Sequence, residues 1–459
     1  MAQHNRSEEL FDKQLESLSN AIENQDSKAA IQLLEVVDLD RVILLVDRLD
    51  TEFRKQLFEL LDPERAAELL AQVYDFQGGV IIENLEPEKA AEILTNLDSD
   101  DRVDLLNELE AKDSTAILEE LNDEIADETR RFMAYPEGTA GALMYSEFVS
   151  FQEDMVVSDI LDDIQNNQGR YSEFGIQYAY ILDTAKRLVG VLPVRNLLFA
   201  KRTQLAQEIM IREPITVEVT TQTNELENLF EEFHFLAFPV VDSKQRLLGI
   251  VDREASAEAV QEAATEDLLK VQGLMGREEL RSMPLHLRSR RRLSWLSINI
   301  VLNLISASVI AFHQDTLEAV IALAVFLPII SDMSGCSGNQ AVAVSMRELS
   351  LDLISPKEFR RVFFKESVLG LINGTFLGTL IGSIAWLWKG NPMLGLVVGA
   401  ALALNTTVAV CVGGLVPLLL KAVKQDPALA SGPILTTITD MCGFLLILGL
   451  ASLTLPYLV

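Results

Sequence analysis

The sequence predicts a multi-domain membrane protein with an all-α superhelical domain, a duplicated α/β module, a connecting helix and five α-helical transmembrane segments. Three observations support this fold class: a 12-residue repeat near the amino terminus, a β-rich unit that recurs after 59 residues, and long apolar segments with at most one charge each near the carboxyl end. The predicted boundaries are 1–134, 135–268, 269–292 and 293–459.

The negative charge of the chain is concentrated in its first part. Of 459 residues, 38 are Lys or Arg and 68 are Asp or Glu, which gives a net charge of −30. The apolar part from residue 293 onward carries 8 basic and 9 acidic residues, so the first 292 residues have a net charge of −29. This balance argues against nucleic acid as a partner, because phosphate binding requires a basic surface.

The amino-terminal repeat predicts a solenoid of short helices. Similar ten-residue blocks begin at Leu49, Leu61, Leu85 and Leu97. In the second block an Asp-Pro pair follows the leucine, and this pair favours a helix start: the carboxylate caps free N–H groups and proline has no N–H to leave unpaired. Twelve residues hold about two helical turns and a turn, so these helices must stack to be stable. Their acidic side chains either form a solvated face or bind cations at a domain interface.

The middle region predicts two copies of one β-hairpin unit. Residues 178–183 and 188–192 form the first pair of strands, and residues 238–242 and 247–251 form the second. The segments LVGVLPVRNLL and PVVDSKQRLLGIVDRE resemble a tandem CBS pair, a module that usually regulates its host protein by binding ligands.

Many CBS pairs bind an adenine nucleotide through a Ser or Thr and an Asp that follow the last strand. The corresponding positions in this chain are Pro193 and Asn196 in the first copy and Asp252 and Ala255 in the second. An aspartate able to contact ribose hydroxyls is missing from both, so the sequence disfavours nucleotide binding by the pair.

The carboxyl-terminal part predicts five membrane crossings. The apolar segments are 293–314, 319–346, 367–388, 390–420 and 427–459. Basic residues cluster at 288–292 and in the second and fourth loops, which predicts a cytoplasmic amino terminus and an external carboxyl terminus. Gly370, Gly374, Gly378 and Gly382 recur every four residues and predict a close helix–helix contact.

Two carboxylates lie inside these apolar segments. Asp440 is midway along the last one and shares a helical face with Thr436 and Thr437. Oxygen ligands suit a hydrated hard cation, although an aspartate that hydrogen-bonds across helices would give the same pattern. Asp332 lies beside a Pro- and Gly-rich stretch that predicts a helix break lining a cavity, and its alternative is also a structural role.

Together these parts resemble the MgtE-type magnesium transporters over nearly the whole chain. The most specific segments are YPEGTAGALM, RRRLSWLSINIVLNLISASVI, ALAVFLPII, RRVFFKE and DPALASGPILTTITDMCGF. The resemblance implies a homodimeric, magnesium-gated channel in the bacterial inner membrane, with the pore between the subunits. Mg²⁺ is then both the transported and the regulatory ion, and the partners are a second copy, the lipid bilayer and divalent cations.

The resemblance also implies metal-binding residues. In the transmembrane part they are Asp440, Thr436 and Asp426. In the cytosolic part they are Glu68, Asp100, Asp104, Glu258, Glu266 and Asp267. Two departures bear on selectivity: Cys336 stands where the family has an asparagine, and Asp332 replaces a small residue and is a further candidate ligand.

Three hypotheses follow from these residues. The first is a magnesium channel or transporter, the second is the same architecture carrying cobalt, manganese or zinc, and the third is a non-conducting membrane metal sensor. An enzyme is not expected, since the sequence contains no Walker motif and no spacing typical of a catalytic triad or zinc hydrolase.

Overall fold

A computed structural model describes residues 2–73, 75–171, 174, 177–274, 283, 285–351 and 353–458. The chain forms two compact units, Met1–Glu262 and Ala263–Val459.

The first unit begins with an array of short helices, as the repeat predicts. Its helices are α1 Ala2–Glu23, α2 Ser27–Val36, α3 Leu39–Arg48, α4 Thr51–Leu60, α5 Pro63–Leu70, α6 Asp75–Glu83, α7 Pro87–Leu94, α8 Ser99–Asn107, α9 Ala111–Glu120 and α10 Asp123–Phe132. The leucine that opens each of the four repeat blocks is buried in one continuous hydrophobic core.

Helix capping explains where the repeat helices begin. The Asp50 carboxylate accepts a hydrogen bond from the Phe53 amide at 2.9 Å, and that of Asp62 accepts one from the Arg65 amide at 3.1 Å. Pro63 is the first residue of α5. The predicted Asp-Pro helix start is therefore confirmed.

The rest of the first unit is the α/β module. Its elements are α11 Ala140–Leu143, β1 Val149–Gln152, α12 Val157–Asn166, α13 Gln168–Tyr171, β2 Tyr178–Leu182, β3 Leu188–Pro193, α14 Val194–Phe199, α15 Ala206–Ile209, β4 Ile211–Arg212, β5 Val217–Glu218, α16 Thr223–Phe233, β6 Ala237–Val241, β7 Leu247–Asp252 and α17 Arg253–Val271, whose last residues belong to the second unit. The strand orders are β1-β2-β3-β4 and β5-β6-β7. In each sheet a parallel pair precedes the predicted antiparallel hairpin.

The two hairpins use the same turn chemistry, which supports the predicted duplication. Asp183 accepts hydrogen bonds from the amides of Ala185 and Arg187 and from the Arg187 side chain at 2.7 Å. Asp242 accepts the equivalent bonds 59 positions later, with Arg246 as the side-chain donor at 2.7 Å. The two turns also pair with each other through a bridge between Arg187 and Arg246.

The second unit is a bundle of long helices. Its elements are α18 Leu285–Phe312, α19 Gln314–Ala319, α20 Leu323–Ser350, α21 Phe359–Lys389, α22 Pro392–Ala422 and α23 Pro427–Leu453, with 3₁₀ turns at Pro356–Glu358 and Leu455–Tyr457. Among the described residues, four stretches are long and apolar enough to cross a membrane: Leu285–Phe312, Pro356–Lys389, Pro392–Ala422 and Pro427–Leu453.

The remaining long helix, α20, has 28 residues and is not among these four, although the sequence predicts a crossing there. The predicted break in this segment is wrong, because α20 continues as an α-helix past Pro328 and the glycines that follow it. Asp332 therefore lies on an intact helix.

The predicted connecting helix at 269–292 stays a prediction. Its first residues, up to Val271, end α17, and residues from Leu285 begin α18. Residues 275–282 and 284 lie outside the described part of the chain.

The predicted glycine contact is present between α21 and α22. All four glycines of α21 are buried. A Cβ atom added at Gly378 would lie 2.4 Å from the Gly399 carbonyl oxygen, and one added at Gly374 would lie 2.4 Å from the Ala403 carbonyl oxygen. Backbone therefore packs directly on backbone here, which only glycine permits.

Candidate functional site

The centre of the candidate site is Asp440, the fourteenth of the 27 residues of α23. Its side chain is half-buried, and the Ser331 hydroxyl of α20 donates a hydrogen bond to its carboxylate. A carboxylate at the middle of a membrane-crossing helix is costly unless it faces water, a cation or a polar partner. The contact with Ser331 partly satisfies the carboxylate and holds it beside α20.

A polar strip runs along α20 next to this contact. Asp332, Cys336, Asn339 and Gln340 are all exposed on the surface of the isolated bundle. On α23, Thr436 is exposed one turn before Asp440. Exposed polar side chains are expensive in lipid, so this face requires an aqueous or protein environment.

Two neighbouring helices hold the segment that leads to Asp440. The buried Ser306 hydroxyl of α18 donates to the Thr437 carbonyl oxygen at 3.3 Å. The buried Asn405 amide of α22 donates to the Thr439 carbonyl oxygen at 3.1 Å. Together with Ser331, three helices fix the position of this part of α23.

A second cluster lies at the amino-terminal end of α23. Asp426 caps the helix by accepting a hydrogen bond from the Ala428 amide at 2.8 Å. The Lys270 ammonium lies 3.1 Å from the Asp426 carboxylate and 3.1 Å from that of Glu266. Burial raises the pKa of Asp267, and the negative charge of Asp426 raises it further. Three predicted metal ligands therefore meet here around a lysine.

A third cluster lies in the first unit, where α8 meets the segment before β1. Asp100 is half-buried, and burial raises the pKa of its carboxyl well above its usual value, with a further contribution from the charge of Asp101. The Ser99 hydroxyl donates to Glu147 at 2.8 Å, which brings that carboxylate to the start of α8. Asp104 follows Asp100 by one turn of the same helix.

Two predicted ligands lie apart from these clusters. Glu68 pairs with Arg65 at 2.6 Å, and Arg65 also contacts Glu35 at 3.2 Å. Glu258 is exposed on α17. Within the residues that the structure describes, no group of three or more His, Cys, Asp or Glu side chains is arranged to hold a metal ion.

Three contributors were missed from the sequence. Ser331 gives no signal of its own, because its partner Asp440 is 109 residues away in the chain. Glu147 is brought to Ser99 across 48 residues by tertiary folding alone. Lys270 could have been found, since it follows Glu266 by four residues on a helix, a spacing that favours ion pairs.

Comparison with family models gives three matches along the chain. The "Divalent cation transporter" model of MgtE matches residues 327–450, the "MgtE intracellular N domain" model matches 38–138, and the "CBS domain" model matches 206–255. The first match contains both Ser331 and Asp440.

Whole proteins with similar sequences give the same result. The chain is 32% identical over 322 residues to a magnesium transporter MgtE of Bacillus subtilis, covering 70% of each chain. It is 33% identical over 340 residues to one of Thermus thermophilus, covering 73% of this chain and 74% of that one. A crystal structure of the soluble part of a magnesium transporter matches 55% of this chain and 99% of its own, with 26% identity and a TM-score of 0.50.

Proposed function

This chain belongs to the MgtE family of divalent cation transporters, and we propose from that premise that it conducts Mg²⁺ across the bacterial inner membrane as a homodimer. Its amino terminus lies in the cytoplasm, and cytosolic Mg²⁺ closes the pore. The relatives are named magnesium transporters, and the residues of this chain supply the chemistry described below.

The observation that carries the proposal is the position of Asp440. Its carboxylate lies at the centre of α23, next to the exposed polar strip of α20. Mg²⁺ gives up its water ligands reluctantly, so a hydrated ion is bound through water by a carboxylate and by hydroxyl oxygens such as that of Thr436. No ATP-driven step is required for such an ion to follow its electrochemical gradient.

The exposed polar face supports a dimer. Thr436 and the strip of α20 cannot face lipid without a large cost, and a second copy placed against this face would enclose them. Two copies of Asp440 would then face one path. Two nearby carboxylates repel each other without a cation, so the pair favours a divalent ion over a monovalent one.

The lysine-centred cluster at the start of α23 supports gating. Glu266, Asp267 and Lys270 lie on α17, which leaves the regulatory α/β module, and Asp426 begins the helix that carries Asp440. A divalent ion that binds these carboxylates would change the position of α23. The cluster around Asp100 is the second proposed regulatory site, with Asp104 one turn away.

The ion carried is tested by uptake into liposomes that contain the purified full-length protein. Mg²⁺, Co²⁺, Mn²⁺ and Zn²⁺ are compared, and competition between pairs of ions is measured. The proposal expects Mg²⁺ uptake in the absence of ATP. Uptake of the transition metals without Mg²⁺ would favour the second hypothesis, and tight Mg²⁺ binding without any uptake would favour a sensor.

Cys336 offers a residue-level test of selectivity. Its thiol is exposed on the polar strip of α20, and sulfur is a softer ligand than oxygen. Cys336→Asn is expected to keep Mg²⁺ uptake and to reduce competition by Zn²⁺ and Co²⁺. Cys411→Ser, on α22, is the matched control and should leave competition unchanged.

A further inference from the structure

Three fully buried polar atoms in the transmembrane bundle lack a hydrogen-bond partner among the described residues. They are the Ser334 hydroxyl of α20, and the Asn405 side-chain carbonyl and Thr406 hydroxyl of α22. None of them finds a hydrogen-bond partner among the residues that the structure describes. An unpaired buried polar group is costly, and in a native protein it usually marks a bound water or ion.

The orientation of Asn405 is set by its neighbours. Its amide nitrogen donates to the Thr439 carbonyl oxygen at 3.1 Å, so its side-chain oxygen points the other way and can only accept. A Cβ atom added at Gly443 would lie 2.7 Å from that nitrogen and 3.3 Å from Ile330. Because Gly443 has no side chain, the Asn405 amide fits at the point where α20, α22 and α23 meet.

The packing of α20 on α22 fixes the level of Ser334 relative to Asn405. Ile330 lies at the level of Asn405, and a Cβ atom added at Gly338 would lie 3.0 Å from the Ala409 carbonyl oxygen. Ser334 is one turn from both Ile330 and Gly338 on the buried face of α20, so it lies between these two levels. Thr406 follows Asn405 in the chain and is also buried in α22.

We propose that Ser334, Asn405 and Thr406 form a buried binding site for a sodium ion behind Asp440. The three ligands are neutral oxygens, a set that suits a small monovalent cation better than Mg²⁺, which prefers carboxylates and retains its waters. The site is linked to Asp440 on two sides. Asn405 bonds to Thr439, the residue before Asp440, and Ser331, one turn before Ser334, bonds to the carboxylate itself.

The negative charge of Asp440 attracts a cation into this low-dielectric region, where neutral dipoles alone would bind it weakly. A bound sodium ion would in turn fix α20, α22 and α23 together at the level of the pore carboxylate. The sodium site therefore goes beyond the proposed Mg²⁺ conduction and can be tested without measuring transport.

The test is the thermal stability of the purified full-length protein in detergent, measured in equimolar NaCl, KCl or choline chloride without divalent ions. A ligand that binds only the folded state raises the melting temperature. The wild type is expected to be more stable in NaCl than in the other two salts, with a saturable dependence on Na⁺.

Substitutions then locate the effect. Thr406→Val and Ser334→Ala each remove one oxygen and are expected to raise the half-saturating Na⁺ concentration about tenfold or more. Thr407→Val is the matched control, because that hydroxyl is already paired with the Ala403 carbonyl oxygen at 2.9 Å. It should keep the wild-type response. If one variant fails to fold, the other still decides.

Two outcomes would overturn the proposal. Stability that is no higher in NaCl than in KCl and choline chloride would mean that these oxygens bind water only. A wild-type Na⁺ response in both Thr406→Val and Ser334→Ala would place any sodium effect elsewhere. Neither outcome bears on Mg²⁺ uptake, which is measured separately in liposomes.

Discussion

The bundle and the acidic first unit hold their carboxylates in contrasting ways. Asp440 accepts a hydrogen bond from the neutral Ser331 hydroxyl of α20, and side chains of α18 and α22 bond to the α23 backbone just before it. Asp100 lies among other carboxylates, including Asp101 and Glu147, and their mutual repulsion raises its pKa beyond the effect of burial. The first arrangement fixes one charge in one place, and the second stores repulsion that a cation can relieve.

This difference predicts different responses to mutation. A single fixed charge cannot be replaced by its neighbours, so its loss should stop transport. In a cluster of several carboxylates, the loss of one charge should change stability or Mg²⁺ sensitivity only partly. Changes that leave the Asp440 carboxylate intact should have graded effects in both regions, largest at the glycine contact of the bundle and smallest in the hairpins of the first unit.

The rigidity of the bundle depends on the glycine contact between α21 and α22. Gly378→Ala places a Cβ atom 2.4 Å from the Gly399 carbonyl oxygen and should lower the free energy of unfolding by about 1–3 kcal/mol through overpacking. Gly449→Ala on α23 is the matched control, since no atom lies within 4 Å of its added Cβ. Equal thermal stability of the two variants would contradict the close backbone contact.

Mutation of the cluster at the start of α23 should change the sensitivity of uptake to cytosolic Mg²⁺ and should not abolish uptake. Lys270 pairs with Glu266 and Asp426, so in the proposed gating it would compete with Mg²⁺ for their carboxylates. Lys270→Ala should therefore lower the cytosolic Mg²⁺ concentration that half-inhibits uptake, by roughly fivefold.

Lys244→Ala, at an exposed turn of the α/β module, is the control for this change and should leave inhibition unaltered. A higher half-inhibitory concentration in Lys270→Ala would mean that the lysine supports the closed state, and would refute competition.

The stability of the acidic first unit should fall as the pH rises through the pKa of Asp100, whereas a carboxylate in an ion pair stabilises the folded state at higher pH. Because the folded state raises the pKa of Asp100, its charged form destabilises residues 1–262 at neutral pH. This penalty decreases as the pH falls through the raised pKa and is gone below the pKa of the unfolded state. Asp100→Asn should raise the melting temperature at neutral pH without Mg²⁺, and the gain should shrink on acidification.

Asp162→Asn on α12 changes an exposed carboxylate and should have little effect at any pH. Added Mg²⁺ should stabilise the wild-type unit more than Asp100→Asn. A melting temperature of the wild type that does not respond to Mg²⁺ would remove the regulatory role of this cluster.

The smallest effect is expected in the duplicated hairpins. Backbone and side-chain hydrogen bonds from Arg187 lower the pKa of Asp183, so its stabilising effect is present at neutral pH and is lost as the pH falls through that lowered value. Asp183→Ala and Asp242→Ala should lower the melting temperature by similar small amounts, because their turns have the same geometry. Clearly unequal losses would show that the two copies are stabilised differently.

The sequence was most informative where local chemistry decides structure. Two repeat helices begin directly after Asp50 and Asp62, because each carboxylate accepts a hydrogen bond from the amide three residues later. The hairpin strands follow from apolar runs around polar turns. The glycine contact of α21 follows from spacing alone. These features involve residues that are neighbours in the chain.

The sequence was least informative where distant helices meet. The break predicted near Asp332 is wrong, because proline and glycine are compatible with a continuous helix when neighbouring helices pack around it. The contacts of Asp440 with Ser331 and of Thr439 with Asn405 span 109 and 34 residues, so no local pattern reveals them. The metal-binding roles of all the predicted ligands, from Asp440 in the bundle to Asp100 in the first unit, stay predictions.

The central claim is that the charge of Asp440 is required for conduction. The most direct measurement is Mg²⁺ uptake into liposomes by full-length Asp440→Asn, which keeps the side-chain shape, beside Thr375→Val, a control on an exposed hydroxyl of α21. We expect no uptake above empty liposomes for Asp440→Asn and wild-type uptake for the control, with the same dimer size in both. Mg²⁺ uptake by Asp440→Asn at the wild-type rate would contradict this account.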